Sequence, residues 1–107
     1  MKTILITGTS SGLGREAVKL FASESWNVVA TMRSPEKETE LNRLKNVLVT
    51  RLDVLDQESI SSAILAGIER FGRIDTLVNN AGYGQTAFSK GYPENKFGSN
   101  SIRTFSA

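Results

Sequence analysis

The chain has 107 residues, of which 39% are hydrophobic and 22% are charged, and its formal net charge is +2. This length allows one small domain, and the low charge gives no argument for binding nucleic acid or a membrane surface. Neither cysteine nor histidine occurs, which excludes a disulfide framework, thiolate chemistry and the two commonest zinc ligands. No apolar run is long enough to cross a membrane, so we expect a cytoplasmic protein that binds neither membranes nor a metal.

The N-terminal part of the chain predicts a strand, a glycine-rich turn and a helix. Residues 3–7 are short, apolar and β-branched, which is typical of a buried strand, and Gly8 ends it. The strand ends too early for the apolar run to be a signal peptide. Residues 12–24 predict an amphipathic helix. Its expected inner face carries Leu13, Ala17, Leu20 and Phe21.

A second strand and a short helix are predicted next. Residues 28–30 form an apolar run that is typical of a buried strand. Ser34 followed by Pro35 is the pattern of a helix N-cap with proline at the first helical position. We therefore expect a helix from Pro35 to about Leu44.

The third and fourth strands flank another helix. Residues 47–49 and 75–79 are the apolar runs, and Asp56 is the expected N-cap of the helix between them. Gly72 stands where a left-handed C-cap residue belongs. The expected inner face of this helix carries Ile60, Ile64, Ile68 and Phe71.

The alternation of strands and helices over residues 1–79 predicts an α/β fold. Continuous apolar strands indicate burial on both faces, which is typical of a parallel sheet between helix layers. Right-handed crossovers favour a doubly wound, Rossmann-like sheet of about four strands in the order 3-2-1-4. Residues 83–107 contain neither valine nor leucine. We expect a folded unit over residues 1–84 and an irregular C-terminal tail over residues 85–107.

The turn after the first strand is suited to a phosphate pair. The N-terminus of a helix offers free backbone N–H groups and a favourable dipole, and glycines let a pyrophosphate approach closely. The segment from Gly8 to Gly14, called the glycine loop below, supplies three glycines and three hydroxyls. Its residues are Gly8, Thr9, Ser10, Ser11, Gly12, Leu13 and Gly14. It is not a P-loop, because no Gly-Lys pair occurs at the required place. A flexible turn that binds nothing is the alternative.

With these motifs the sequence resembles the short-chain dehydrogenase/reductases. The run from Thr7 to Gly14 is similar to that family's cofactor loop, T-G-x-x-x-G-x-G. The run Asn79-Asn80-Ala81-Gly82 is similar to its N-N-A-G signature. The run Leu52-Asp53-Val54 stands where the family's adenine-contacting aspartate lies. The resemblance covers residues 1 to about 84.

The resemblance implies a dinucleotide cofactor at the carboxyl ends of the strands, where ligands of open α/β sheets bind. It implies that Asp53, with Val54 beside it, contacts the adenine. It also implies that Asn80, Ala81 and Gly82 line the ribose. A solvated loop carboxylate is the alternative for Asp53, and hydrogen bonding at strand ends is the alternative for the asparagines.

The end of the second strand indicates which dinucleotide binds. NAD sites place an acid about 20 residues beyond the loop, on the ribose 2′-hydroxyl. Here the first charged residue after that strand is Arg33. A guanidinium suits the 2′-phosphate of NADP, so we expect NADP rather than NAD. Arg33 as a solvated surface cation is the alternative.

No catalytic residue is assigned from the sequence. In the family a serine and a Tyr-x-x-x-Lys pair follow N-N-A-G, on a fifth strand and the next helix. Tyr92 and Lys96 have that spacing, but Pro93 disfavours a helix through Tyr92. Too few residues separate Tyr92 from Gly82 for a crossover helix and a strand. We therefore expect this pair not to be catalytic.

The sequence supports three functional readings. The first is the N-terminal, cofactor-binding portion of an NADP-dependent oxidoreductase, inactive as this chain, with a frame shift or truncated reading frame as the leading explanation of the tail. The second is a non-catalytic NADP(H)-binding module that works with a partner chain. The third is a small enzyme that uses Tyr92 and Lys96. With only four strands, the fourth strand would be an unpaired edge, and we expect self-association through it.

Overall fold

The computed structural model describes residues 1–80 and 103–106. Its strands and helices follow one another as β1 (Thr3–Ile6), α1 (Gly12–Ser23), β2 (Asn27–Met32), β3 (Val47–Arg51), α2 (Gln57–Phe71), β4 (Thr76–Asn79) and β5 (Arg103–Ser106). The strands form one sheet in the order β3-β2-β1-β4-β5, and every neighbouring pair is parallel. The predicted α/β class and the order 3-2-1-4 of the first four strands are therefore confirmed.

Alternate residues along each strand bury against opposite faces of the sheet, as the period of a strand requires. Leu5 and Val29 point to the face covered by α2, where they pack with Ile60 and Ile64. On the other face the buried strand residues pack against α1 and the β2–β3 connection; they are Ile4, Ile6, Val28, Ala30, Met32 and Val47. Burial on both faces explains why each of these strands is a continuous run of apolar residues in the sequence.

The inner face of α1 differs in part from the predicted one. Ala17 and Phe21 pack against the core as predicted, but the two leucines do not. Leu13 is 78% exposed and Leu20 is 59% exposed, whereas Gly14 and Val18 are buried. The helix is turned so that Gly14 lies against the backbone of Gly8. The hydrophobic period alone gave the wrong rotation because a glycine carries no hydrophobic signal, although its place is fixed by this close approach.

The predicted helix between Ser34 and about Leu44 does not form. Two short 3₁₀ turns replace it, at Pro35–Lys37 and Leu41–Arg43, and Ser34 makes no side-chain capping bond. Glu38 interrupts the segment with an extended backbone, φ −80° and ψ 132°. Its carboxylate accepts hydrogen bonds from the N–H groups of Glu40 and Leu41, which a continuous helix would direct to backbone carbonyls.

Helix α2 agrees closely with the prediction. The Asp56 carboxylate accepts from the N–H groups of Glu58 and Ser59, and Gly72 ends the helix with φ 85°. The predicted inner residues Ile60 and Ile64 are fully buried, and Ile68 and Phe71 are partly buried beside them. The caps at both ends satisfy backbone groups that the helix itself leaves unpaired.

Strand β5 corrects two expectations about the C-terminal part. Residues 103–106 lie within the segment expected to be irregular, yet they form a strand that pairs with β4 from Thr76 opposite Arg103 to Asn79 opposite Ser106. Because β4 lies between β1 and β5, it is not the predicted unpaired edge. The expectation for residues 85–102 lies outside the described residues.

The described part of the chain contains no helix that is both long and apolar enough to cross a membrane. Within the same residues, no group of three or more histidine, cysteine, aspartate or glutamate side chains could hold a metal ion.

Candidate cofactor-binding site

A cleft of about 800 Å³ opens at the carboxyl ends of the strands. It lies between the glycine loop, the β2–β3 connection and the residues that follow β3. The side chains and backbone that line it belong to Thr7, Gly8, Ser10, Ser11, Arg15, Met32, Arg33, Ser34, Lys37, Glu38, Thr39, Leu52, Asp53, Val54, Leu55 and Asn80. Most of the residues predicted from the sequence for a cofactor site thus meet at one place.

The glycine loop has a shape that only glycine allows. Gly8 and Gly12 have φ values of +66° and +61°, in the left-handed region that other residues rarely adopt. At Gly14 a Cβ atom would lie 2.2 Å from the Gly8 carbonyl oxygen and 2.6 Å from Nδ2 of Asn80. The start of α1 is therefore pressed against the end of β1, with no room for a side chain between them.

Two buried threonines hold the loop to the end of β2. The N–H and the hydroxyl of Thr9 both donate to the carbonyl oxygen of Thr31, at 3.1 and 3.0 Å. The Thr31 hydroxyl in turn donates to the carbonyl oxygen of Ile6 at 2.8 Å. We predicted that the Thr9 hydroxyl would serve the cofactor. Thr9 is instead fully buried, and its hydroxyl anchors the loop within the fold.

The first turn of α1 presents a positive helix end with no acidic side chain of its own. Ser11 is its N-cap residue, with extended backbone, but its hydroxyl makes no capping bond to the helix. Ser10 and Ser11 are both exposed and line the cleft. The first-turn N–H groups and these two hydroxyls are therefore placed to receive an anion.

A hydroxyl–amide network joins the ends of β1 and β4. The Thr7 hydroxyl donates to Oδ1 of Asn79 at 3.0 Å and accepts from the N–H of Asn80 at 2.8 Å. The Asn80 side-chain amide donates to the carbonyl oxygen of Gly8 at 3.3 Å. The predicted Asn80 thus lies beside the glycine loop and lines the cleft. The predicted Ala81 and Gly82, and the pair Tyr92 and Lys96, lie outside the described residues.

The end of β2 brings cations to the cleft. Arg33 and Lys37 are exposed and line it, and neither forms an ion pair within the part of the chain that the structure describes. Arg33 was predicted from the sequence as a site residue and Lys37 was not, although both lie in the same short charged segment. We call the turn from Arg33 to Lys37, which also contains the exposed Glu36, the cationic segment.

Arg15 and Glu38 are the second feature that the sequence analysis did not identify. Two nitrogens of the Arg15 guanidinium donate to the two Glu38 carboxylate oxygens at 2.8 and 3.0 Å. This paired contact, helped by the N–H groups of Leu41 and Glu40, lowers the pKa of Glu38 to about 2 although burial opposes the shift. No local pattern could have shown it, because 23 residues separate the partners.

Asp53 and Val54 stand at the end of β3, on the far wall of the cleft. Oδ1 of Asp53 accepts from the N–H of Leu55 at 3.0 Å, and the Asp53 N–H donates to the Ser59 hydroxyl at 2.9 Å. These bonds fix the loop, and Asp53 lines the cleft. Val54 is almost fully buried and supplies apolar surface there.

Comparison with known proteins finds a matching family model and similar oxidoreductases. The model of the short chain dehydrogenase family matches residues 2–103. An uncharacterized oxidoreductase of Schizosaccharomyces pombe is 43% identical over 83 residues, which are 77% of this chain and 27% of the relative. Sulfoacetaldehyde reductase 2 of Chromohalobacter salexigens is 42% identical over 74% of this chain and 33% of its own length.

Solved structures show the same fold. A 3-ketoacyl-(acyl-carrier-protein) reductase of Brucella melitensis, complexed with NADH, superimposes with a TM-score of 0.70 at 32% identity. The match covers 76% of this chain and 34% of that one. Menthone neomenthol reductase of Mentha piperita gives 0.69 at 30% identity, over 78% and 32%. The chain thus spans about a third or less of these relatives' length, and by the extent of the family match it belongs to the short-chain dehydrogenase/reductase family.

Proposed function

We propose that this chain binds NADP(H), in preference to NAD(H), as the N-terminal cofactor-binding portion of an oxidoreductase that transfers a hydride between NADP(H) and a carbonyl or alcohol. One observation carries the proposal. Arg33 and Lys37 border the cleft where β2 ends, and the carboxylate that lines the cleft beside them, that of Glu38, is already paired with Arg15.

The glycine loop fits the diphosphate of a dinucleotide. The contact between Gly14 and Gly8 leaves the end of β1 and the start of α1 without side chains between them. Backbone N–H groups of the first turn and the hydroxyls of Ser10 and Ser11 can then reach phosphate oxygens directly. The absence of an acidic residue in that turn removes the group that would repel the anion.

The walls of the cleft fit the adenine and the second ribose of a dinucleotide. Asp53 can accept a hydrogen bond from the adenine amino group, and Val54 packs beside the ring. Asn80 is held by Thr7 and Gly8 at the opposite wall, where its side chain can border the second ribose. Ala81 and Gly82 are proposed to continue that wall on the strength of the family resemblance.

The preference for NADP follows from the charges at the end of β2. An NAD site needs a free acid that accepts from the ribose 2′-hydroxyl. Glu38 is the acid nearest to that role, but its side chain is 4% exposed and both of its oxygens are occupied by Arg15 and backbone N–H groups. The cations that line this end of the cleft without an ion pair in the described part of the chain are the guanidinium of Arg33 and the ammonium of Lys37, which suit a 2′-phosphate. The exposed Glu36 between them does not line the cleft. The Brucella relative was solved in complex with NADH, so the preference for NADP is proposed here from this chain's own charges.

When bound, the nicotinamide ring supplies or accepts the hydride. This chain contributes the placement of that ring, because the glycine loop, Asp53 and the cationic segment fix the other end of the cofactor. Binding energy from the adenosine end orients the reacting end, which is how remote contacts increase the rate of a chemical step.

The substitution Arg33→Asp tests the proposal in calorimetric titrations with NADPH and NADH. We expect NADPH affinity to fall by about 10–100-fold, because one charge-assisted contact is lost and a repulsive charge is added. NADH affinity should change by less than about threefold, since NADH has no 2′-phosphate. Arg43→Asp makes the same charge change at an exposed position that does not line the cleft, and it should leave both affinities unchanged. Equal losses for the two cofactors, or no NADPH binding by the unmodified chain, would overturn the proposal.

A further inference from the structure

We infer that the Arg15–Glu38 ion pair is a positioning device that holds the cationic segment at a fixed place relative to the glycine loop and thereby sets the preference for a ribose 2′-phosphate. The inference deepens the proposed NADP(H) binding and rests on it. It assigns a function to two residues that do not themselves contact the cofactor.

The pair connects the two parts of the cleft. From α1, one nitrogen of Arg15 reaches back to the Ser10 carbonyl oxygen in the glycine loop, at 3.4 Å, and also donates to Glu38. Glu38 immediately follows the cationic segment, and its N–H closes the first 3₁₀ turn onto the Pro35 carbonyl oxygen at 3.0 Å. One guanidinium thus bridges the loop expected to bind the diphosphate and the turn expected to bind the 2′-phosphate.

The Glu38 carboxylate is built into the connection on its other side as well. Its Oε2 accepts from the N–H groups of Glu40 and Leu41 at 2.9 and 2.7 Å. Leu41 is fully buried in the core between α1 and the sheet. Glu38 therefore links the exposed polar turn to α1 and to the buried Leu41 by four hydrogen bonds, and moving the carboxylate would move the turn that carries Arg33 and Lys37.

The charges argue against direct contact between Arg15 and a 2′-phosphate. Arg15 lines the cleft, and a cation there could contact a phosphate itself. However, its two terminal nitrogens already donate to Glu38 and to Glu40, at 2.6 to 3.0 Å. Two carboxylates cancel its charge, so the electrostatic attraction for a 2′-phosphate comes from the cationic segment. The two roles predict opposite changes in the preference for a 2′-phosphate when the Glu38 charge is removed. Direct contact by a released Arg15 would raise that preference, and loss of positioning would lower it.

Adenosine 2′,5′-bisphosphate and AMP are the probes, because they differ only in the 2′-phosphate. The affinity ratio between them, measured by calorimetry on the full chain, reports the preference for that phosphate. If Arg15 and Glu38 position the cationic segment, Glu38→Gln and Arg15→Lys should each lower the ratio at least about fivefold while AMP affinity changes little. Lysine keeps the charge but cannot make the forked contact to Glu38.

Other results would overturn the inference. An affinity ratio that is higher than in the unmodified chain for Glu38→Gln, and lower for Arg15→Lys, would show that a released Arg15 contacts the phosphate directly. Equal losses for both probes would show a purely structural role. An unchanged ratio in both variants would show that the pair has no role in the preference. Lys19→Gln is the matched control, because Lys19 contacts Glu40 at 3.4 Å and does not line the cleft; its ratio should equal that of the unmodified chain.

Folding and the proposed function are tested separately. Circular dichroism establishes that each variant is folded, and Arg15→Lys decides the question if Glu38→Gln does not fold. Should the unmodified chain bind neither probe, the proposed function itself fails, and this inference fails with it. Should it bind adenosine 2′,5′-bisphosphate more tightly than AMP while both variants keep that ratio, only the positioning inference fails.

Discussion

Replacing Gly14 by alanine should damage both the fold and the cofactor site. The added Cβ would lie 2.2 Å from the Gly8 carbonyl oxygen and 2.9 Å from its carbon, and both are backbone atoms. Reaching an ordinary separation of about 3.5 Å requires a shift of roughly 1 Å between the end of β1 and the start of α1. The same shift would push on Nδ2 of Asn80, which donates to that carbonyl.

The expected magnitude combines two opposing effects. Overpacking a tight contact costs about 1–3 kcal/mol, while alanine in place of glycine within a helix gains about 0.5–1 kcal/mol. We expect a net loss of about 1–2 kcal/mol in the free energy of unfolding, measured by urea titration with circular dichroism. NADPH affinity should fall at least about tenfold, because the loop that approaches the diphosphate is displaced.

Gly67→Ala is the control for this prediction. Gly67 also lies inside a helix, but its added Cβ would meet only side-chain atoms, 2.7 Å from Val29 and 3.1 Å from Ile74, and it is not in the cleft. The variant can change stability, yet its NADPH affinity should equal that of the unmodified chain. Unchanged stability and unchanged NADPH affinity in Gly14→Ala would refute the reasoning, since the close approach would then have no consequence.

Three further predictions concern stability and the end of β4. Glu38 should lose its stabilising contribution progressively as the pH falls from its ordinary pKa of 4.5 toward its folded-state pKa of about 2. Urea titrations from pH 5 to pH 2 should therefore show that the free energy of unfolding depends less on pH in Glu38→Gln than in the unmodified chain. An equally steep pH dependence in the variant would contradict this assignment. The variant Glu36→Gln, at an exposed neighbour, is the control. Asp56→Ala should lower the free energy of unfolding by about 1 kcal/mol through loss of the α2 cap, and an unchanged urea midpoint would argue against that role. Thr7→Val leaves the Asn80 N–H without its acceptor and should cost about 1–3 kcal/mol in stability, with weaker NADPH binding; calorimetry showing full affinity would mean that this bond does not position Asn80.

The parts of the fold that local patterns determine were predictable from the sequence. The buried strands read as continuous apolar runs, and the caps of α2 at Asp56 and Gly72 have direct residue signatures. The glycine loop, Arg33, Asp53 and Asn80 were predicted for one site, and the structure brings them to the same end of the sheet.

The parts that distant contacts determine were not predictable. Local residue types favoured a helix after Ser34, but the Glu38 carboxylate pairs with Arg15 and takes the N–H groups that would continue it. The rotation of α1 depends on Gly14 meeting Gly8. Strand β5 has no apolar pattern in its sequence, and its pairing with β4 joins backbones, which leaves little trace in residue type.

The central position of β1 has a consequence for how the chain folds. Strand β1 is synthesised before the other strands of this sheet, yet on one side it pairs with β4, and the N–H of Thr3 donates to the carboxylate of Asp75, 72 residues later. Closing so long a loop costs entropy before any contact repays it, so this pairing should be slow compared with helix formation. During synthesis β1 can pair with β2 early but must wait for β4 to emerge, with one apolar edge open to wrong partners until then. Strand β1, whose four residues are all buried, therefore stays incomplete from its own synthesis until that of β4.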